Sequence, residues 1–160
     1  MMNDDLKSSR KARARRSGKF IIHHSSFSIF SWPVRVYYED TDLGGVVYYA
    51  NYLRYLERAR TEWLRALGFA QPALAAEHQV VFVVRSLSLD FLRPARFDDV
   101  LEVSVELREV GASRIELSQS VRRGQEDLIT ARVEIACVNT ATFKPVRIPG
   151  PVLATIGNRT

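Results

Sequence analysis

Three carboxylates and a glycine pair stand directly in front of an amphipathic run in "YYEDTDLGGVVYYANYLRYLERAR", the stretch Tyr37 to Arg60 that holds all six tyrosines of the chain. A helix starting near Tyr48 to Asn51 leaves its first backbone N–H groups without intrahelical acceptors, and the aligned peptide dipoles place roughly half a positive charge there. Such an end can hold a polarised oxygen. Asp42 lies several residues upstream of it, beyond ordinary capping distance, and the flexible "LGG" that follows can fold its carboxylate back towards the same point. A carboxylate facing amide donors across a small gap suits acyl transfer: the amides bind the developing oxyanion while the carboxylate attacks or activates water. The competing reading is that Glu39, Asp40 and Asp42 only form a polar turn, a setting in which Asp bonds to nearby backbone.

The elements that would carry this chemistry follow from periodicity. "WPVRVYYE", Trp32 to Glu39, alternates Val34, Val36 and Tyr38 against Arg35, Tyr37 and Glu39, which predicts a first strand. From Tyr52 the period changes to three and four residues through Tyr55, Leu56, Ala59, Trp63, Ala66 and Leu67, a long helix stopped by Gly68. "QPALAAEH" adds a short helical turn. After Gln79 four long strands follow, broken at "RPARFDD", "VGAS" and "RRGQED". Leu101, Val103, Val105 and Leu107 alternate with Glu102, Ser104, Glu106 and Arg108. No helical crossovers separate these strands, so antiparallel pairing is favoured. The economical arrangement is an α+β fold in which one curved antiparallel sheet packs on a single long helix.

The charge of +5 is confined to the start of the chain, where residues 1–30 carry seven basic and two acidic side chains, leaving sixteen of each in the remainder. "RKARARRSGK" has no apolar periodicity and reads as a disordered tail, either solvated or in contact with an anionic membrane, RNA or targeting machinery. The neutral remainder offers no basic face, so nucleic-acid binding is not expected of it. A single cysteine, Cys137, excludes an internal disulfide and reads as a small buried hydrophobe. His23 and His24 lie in the tail and His78 stands alone, so no metal site and no cofactor are expected. The organisation expected is a tail over 1–30, one domain over 31–150 and a C-terminal tail over 151–160.

From Trp32 to Pro149 the chain resembles the acyl-CoA thioesterases of the hotdog fold. The likeness is to the 4-hydroxybenzoyl-CoA thioesterase family, in particular its branch associated with the bacterial Tol-Pal envelope system. "YYEDTDLGGVVYYANYLRYLERARTEWL", "FVVRSLSLDFLRPARFDDVLEV" and "CVNTATFKP" carry the resemblance. It implies five antiparallel strands wrapped around one long central helix and hydrolysis of acyl-CoA thioesters. Asp42 would be the catalytic carboxylate, the backbone N–H of Tyr49 would polarise the thioester carbonyl, and Gly45 would give close approach. The envelope-associated branch usually carries histidine where Tyr49 stands, which leaves a backbone role intact but removes any imidazole role.

The resemblance also implies a homodimer or homotetramer with active sites between subunits, and Glu57, Arg58 and Arg60 are either interface groups or the helix's solvated side. Arg108 and Arg114, near a hairpin, are candidate clamps for the CoA phosphates. A cytoplasmic location is expected, with association at the inner-membrane surface left open. The alternative function is a non-hydrolytic module that binds an acyl carrier protein or an envelope complex.

Overall fold

The computed structural model describes residues 29–157. The basic tail foreseen over 1–30 therefore lies outside the described residues except for its last two, and Phe30 already belongs to a strand. The order is β1 (Phe30–Arg35), a single 3-10 turn (Tyr38–Asp40), α1 (Asn51–Ala66), α2 (Gln71–His78), β2 (Val80–Phe91), β3 (Val100–Val110), β4 (Arg114–Arg123), β5 (Glu126–Asn139) and α3 (Gly150–Gly157). The strands form one sheet in the order β1-β3-β4-β5-β2, every neighbouring pair antiparallel.

Alternation in the strands decides which face is covered. Leu101, Val103 and Val105 on β3, Ile115, Leu117 and Val121 on β4, and Ile129 and Val133 on β5 are all fully or almost fully buried. Their neighbours Glu102, Ser104, Ser118, Ser120 and Arg132 lie on the opposite face, as a period of two requires. The apolar face receives α1, whose Tyr52, Tyr55, Leu56, Ala59, Trp63 and Leu64 recur at helical spacing and are buried. Burying one such side chain as large as Leu56 contributes about 2 kcal/mol. The helix ends as the glycine foretold: Gly68 takes φ +95° and donates to the Arg65 carbonyl at 2.9 Å, while Phe69 N–H reaches back to the Leu64 carbonyl at 2.9 Å. This is a Schellman closure.

Three expectations are revised. The first strand stops at Arg35 rather than Glu39, because the Asp40 carboxylate accepts the Tyr37 N–H at 2.8 Å and this local bond draws the chain into the 3-10 turn. "QPALAAEH" is a full eight-residue helix, started by a proline in its first turn and ended by Gln79 in the left-handed region at φ 54°. The segment taken as a C-terminal tail contains α3, which buries Val152 and Ile156 in the core. Among the described residues the sheet is thus accompanied by three α-helices.

Gln119 on β4 places a polar side chain on the covered face of the sheet. Gln119 is 3% exposed. Its amide donates to the Leu56 carbonyl at 3.1 Å and the Ser104 carbonyl at 3.2 Å, and its oxygen accepts from Arg60 at 2.9 Å. With all of these groups paired, the burial is tolerable, and the bond to Leu56 ties β4 to α1.

Candidate active site

The glycine pair closes a three-residue hairpin. Asp42 N–H donates to the Val46 carbonyl at 2.9 Å, Gly45 N–H donates to the Asp42 carbonyl at 3.0 Å, and Thr41 pairs with Val47. Gly45 sits at φ +74°, the left-handed residue that such a loop needs at this position. The Asp42 side chain folds over its own turn, with Oδ1 accepting the Gly44 N–H at 2.8 Å; Oδ2 has no hydrogen-bond partner among the described residues. Asp42 is exposed, whereas Asp40 is only 8% exposed.

Gly44 and Gly45 do different things. A Cβ at Gly44 would lie 3.1 Å from Asp42 Oδ1, whereas one at Gly45 would have nothing within 4 Å. Within the chain the tight contact is therefore at Gly44, and Gly45 supplies the backbone conformation.

The hairpin's second arm leads into α1. Val46 bridges to Arg96, and Val47 N–H donates to the Ala95 carbonyl at 2.9 Å, which fastens the arm to the β2–β3 connection. Tyr48 N–H donates to the Asp40 carbonyl at 2.9 Å, and Asn51 N–H donates to the Tyr48 carbonyl at 2.8 Å. Between them, the Tyr49 N–H has no acceptor among the described residues. Ala50, the N-cap, provides no side-chain cap. A helix entry left uncapped beside a hairpin that carries an exposed carboxylate has the parts of the device described above: a free donor at the positive end of α1, and Asp42 on the segment paired with its approach.

Aromatic rings wall the entry. Tyr49 meets Tyr48 at a centroid separation of 4.8 Å and Phe91 edge-on at 6.4 Å, and Phe91 also meets Tyr52 at 6.0 Å. Tyr52 is buried, its Oη accepts the Ala95 N–H at 3.0 Å, and its ring meets Tyr55 at 6.1 Å. Burial pushes the Tyr52 phenol above its ordinary value, against the smaller opposing effect of the Ala95 bond. The Tyr55 phenol is pushed up more strongly, first by burial and then by the Asp40 charge. Asp40 is near enough to act on Tyr55 by its charge, but Tyr55 Oη has no partner in hydrogen-bonding geometry. Tyr48 is raised chiefly through its contact with the Tyr49 hydroxyl.

Arg108 and Arg114 are not brought to this site within the chain. The hairpin lies by the Ala95–Arg96 connection, near the start of β3, whereas the two arginines flank the β3–β4 turn at the other end. The eight residues from Val100 to Arg108 span roughly 26 Å of strand. Arg108 Nε donates to Ser118 Oγ at 2.6 Å, and Arg114 pairs with Glu134 at 3.6 Å. Two contributors, Asn51 and Phe91, escaped the sequence reading, and Asp40 plays the part of its polar-turn alternative. Asp40 is a buried anchor, Asn51 bonds backwards out of its helix, and Phe91 arrives from β2. Only Asn51 left a signal, as a poor helix former at a first helical position. Among the described residues no His, Cys, Asp and Glu group could hold a metal ion.

Comparison with known proteins agrees with the geometry. Residues 44–130 match the model of the thioesterase superfamily. The acyl-CoA thioesterase YbgC of Haemophilus influenzae is 50% identical over 125 residues, covering 78% of this chain and 92% of that protein. The acyl-CoA thioester hydrolase YbgC of Escherichia coli O6:H1 is 44% identical over 128 residues, covering 79% and 95%. Among solved structures, a probable thioesterase from Bartonella henselae superposes with a TM-score of 0.73 at 38% identity, covering 76% of this chain and all of that one. The chain belongs to the thioesterase superfamily, and its five-stranded antiparallel sheet with α1 against the apolar face is that family's hotdog fold.

Proposed function

We propose that this protein hydrolyses acyl-CoA thioesters to the free acid and CoA. Asp42 serves as nucleophile or general base, and the Tyr49 N–H at the start of α1 polarises the thioester carbonyl. The observation that supports this best is the Tyr49 N–H, unpaired among the described residues, beside the hairpin of Asp42, in a chain that is 50% identical over 125 residues to an acyl-CoA thioesterase. The carbonyl oxygen gains negative charge as the nucleophile adds, and a donor fixed in advance stabilises that charge more than it stabilises the substrate. On the covalent route Asp42 displaces CoA thiolate to give a mixed anhydride, which water then splits. On the other route Asp42 takes the proton of a water that attacks directly. Both routes release acid and thiol; label found in the Asp42 side chain after a single turnover in 18O-water shows an anhydride split at the Asp42 carbonyl, and trapping with hydroxylamine reveals an anhydride that water splits at the acyl carbonyl instead. Gly45 belongs to the site through the turn it allows.

The long β2 strand forms an edge of the sheet and carries exposed Val84, Leu87 and Phe91. An unpaired apolar edge of this length is a pairing surface, so a homodimer joined along β2 is part of the same reading. In such an assembly Arg108 or Arg114 would reach CoA only from a neighbouring subunit. No described helix is long and apolar enough to cross a membrane.

The test is Asp42→Asn, assayed for free thiol against a panel of acyl-CoA esters. Asparagine keeps an oxygen that can accept the Gly44 N–H, so the hairpin is retained, but it is neither basic nor nucleophilic. Activity should fall at least about a hundredfold with the melting temperature unchanged. A folded Asp42→Asn protein that turns over like the wild type would overturn the assignment. A wild type that binds acyl groups without releasing thiol would favour a non-hydrolytic acyl-carrier or envelope module instead.

A further inference from the structure

Asp42 and the Tyr49 N–H lie on two segments, and their separation is useful only if something fixes it. The backbone carbonyl of Asp40 is shared between those segments. It accepts the Tyr48 N–H at 2.9 Å and, from the other end of the same short turn, the Asn51 Nδ2–H at 2.8 Å. Asn51 N–H closes the turn onto the Tyr48 carbonyl at 2.8 Å, so Tyr49 and Ala50 are spanned by bonds on both sides. Asp40 is itself immobilised, 8% exposed with its carboxylate on the Tyr37 N–H at 2.8 Å. It stands two residues before Asp42, with only Thr41 between, and Thr41 pairs with Val47.

Alanine would be the better helix former at position 51. Asn51 makes no bond to its own helix's backbone through its side chain; it reaches eleven residues back to the end of the 3-10 turn that leads into the carboxylate's hairpin. We propose that Asn51 is a positioning residue: through the Asp40 carbonyl it holds the Tyr49 amide at a fixed distance from the Asp42 carboxylate. This rests on the thioesterase reading above and adds to it the device that sets its geometry. A small misplacement of reacting groups costs rate without costing affinity, because ground-state binding does not depend on that spacing.

The experiment is Asn51→Ala in the full-length chain, with kcat and KM measured on one hydrolysed acyl-CoA ester, both alone and combined with Asp42→Asn. The expected result is a loss of about tenfold or more in kcat with KM changed less than about threefold. In the Asp42→Asn background the same change should cost less than about twofold, since no carboxylate remains to be positioned. A purely structural role would lower both backgrounds equally, and that outcome overturns the inference. So does a folded Asn51→Ala enzyme with kcat within twofold of the wild type. If Asn51→Ala does not fold, Asn51→Asp decides by the same comparison: it removes the donor while placing a carboxylate where helix starts favour one. An inactive Asp42→Asn beside a fully active Asn51→Ala sinks this inference alone, whereas an Asp42→Asn protein as active as the wild type sinks the parent reading.

Discussion

Tyr52→Phe removes one oxygen atom and leaves the ring that packs against Tyr55 and Phe91. That oxygen is the acceptor of the Ala95 N–H at 3.0 Å, and Ala95 is fully buried. Without it the amide is left in the interior with no partner, at a cost of about 1–3 kcal/mol. Unfolding entropy near 2.1 cal/mol/K per residue, taken over the described span 29–157, gives about 0.27 kcal/mol/K, so a loss of about 2 kcal/mol lowers the melting temperature by roughly 7 °C. Tyr55→Phe is the internal control, because Tyr55 Oη is buried without a hydrogen-bond partner and its removal should leave stability unchanged or slightly raised. The assay is thermal unfolding followed by circular dichroism at pH 7 for wild type and both variants at equal protein concentration, which holds any subunit association constant. The loss at Tyr52 should also loosen the β2–β3 connection to which Val47 is bonded, and with it the arm leading to Tyr49. A Tyr52→Phe melting temperature within about 2 °C of wild type, or a drop in Tyr55→Phe as large as in Tyr52→Phe, would refute this account of Ala95.

Tyr49→Phe should retain most of kcat, because it keeps the amide. Tyr49→Pro, shown to be folded by circular dichroism, should lose about a hundredfold or more, on the order of 3 kcal/mol in the transition state; equal inactivity of the two would assign the chemistry to the phenol. Gly44→Ala places a methyl 3.1 Å from Asp42 Oδ1 and should turn the carboxylate away, lowering kcat with little change in melting temperature; an unchanged kcat would show that this rotamer is not the one used. Raised phenols at Tyr52 and Tyr55 mean that the folded state holds these protons more tightly than the unfolded chain. Their contribution to stability is complete below about pH 10 and lost as pH rises further; urea midpoints at pH 8 to 11 should be flat and then fall, and the fall should be shallower in Tyr55→Phe.

What the sequence determined by itself was local. The alternation of β3, the three-and-four spacing of α1, the stop at Gly68 and the glycine turn after Asp42 each follow from bonds and side-chain directions within a few residues, so they can be read without the fold. The family could be recognised from the same run, because the hairpin, the helix entry and the helix face are contiguous from Tyr37 to Arg60. Tertiary structure decided what depends on residues far apart. Asp40 and Asp42 are alike in sequence, yet one is buried as an anchor and the other left exposed, because Tyr37, Tyr48 and Asn51 converge on Asp40. The place of β2 at the sheet edge follows from its pairing with β5, about fifty residues later, and with it comes the meeting of Phe91 with Tyr49. Arg108 and Arg114 read as neighbours of a hairpin, but only the antiparallel course of β3 shows which end of the sheet that hairpin occupies. The helix α3 was invisible for the same reason: eight residues with glycine at both ends have little helix-forming strength of their own, and burial of Val152 and Ile156 against a core built elsewhere makes the segment helical.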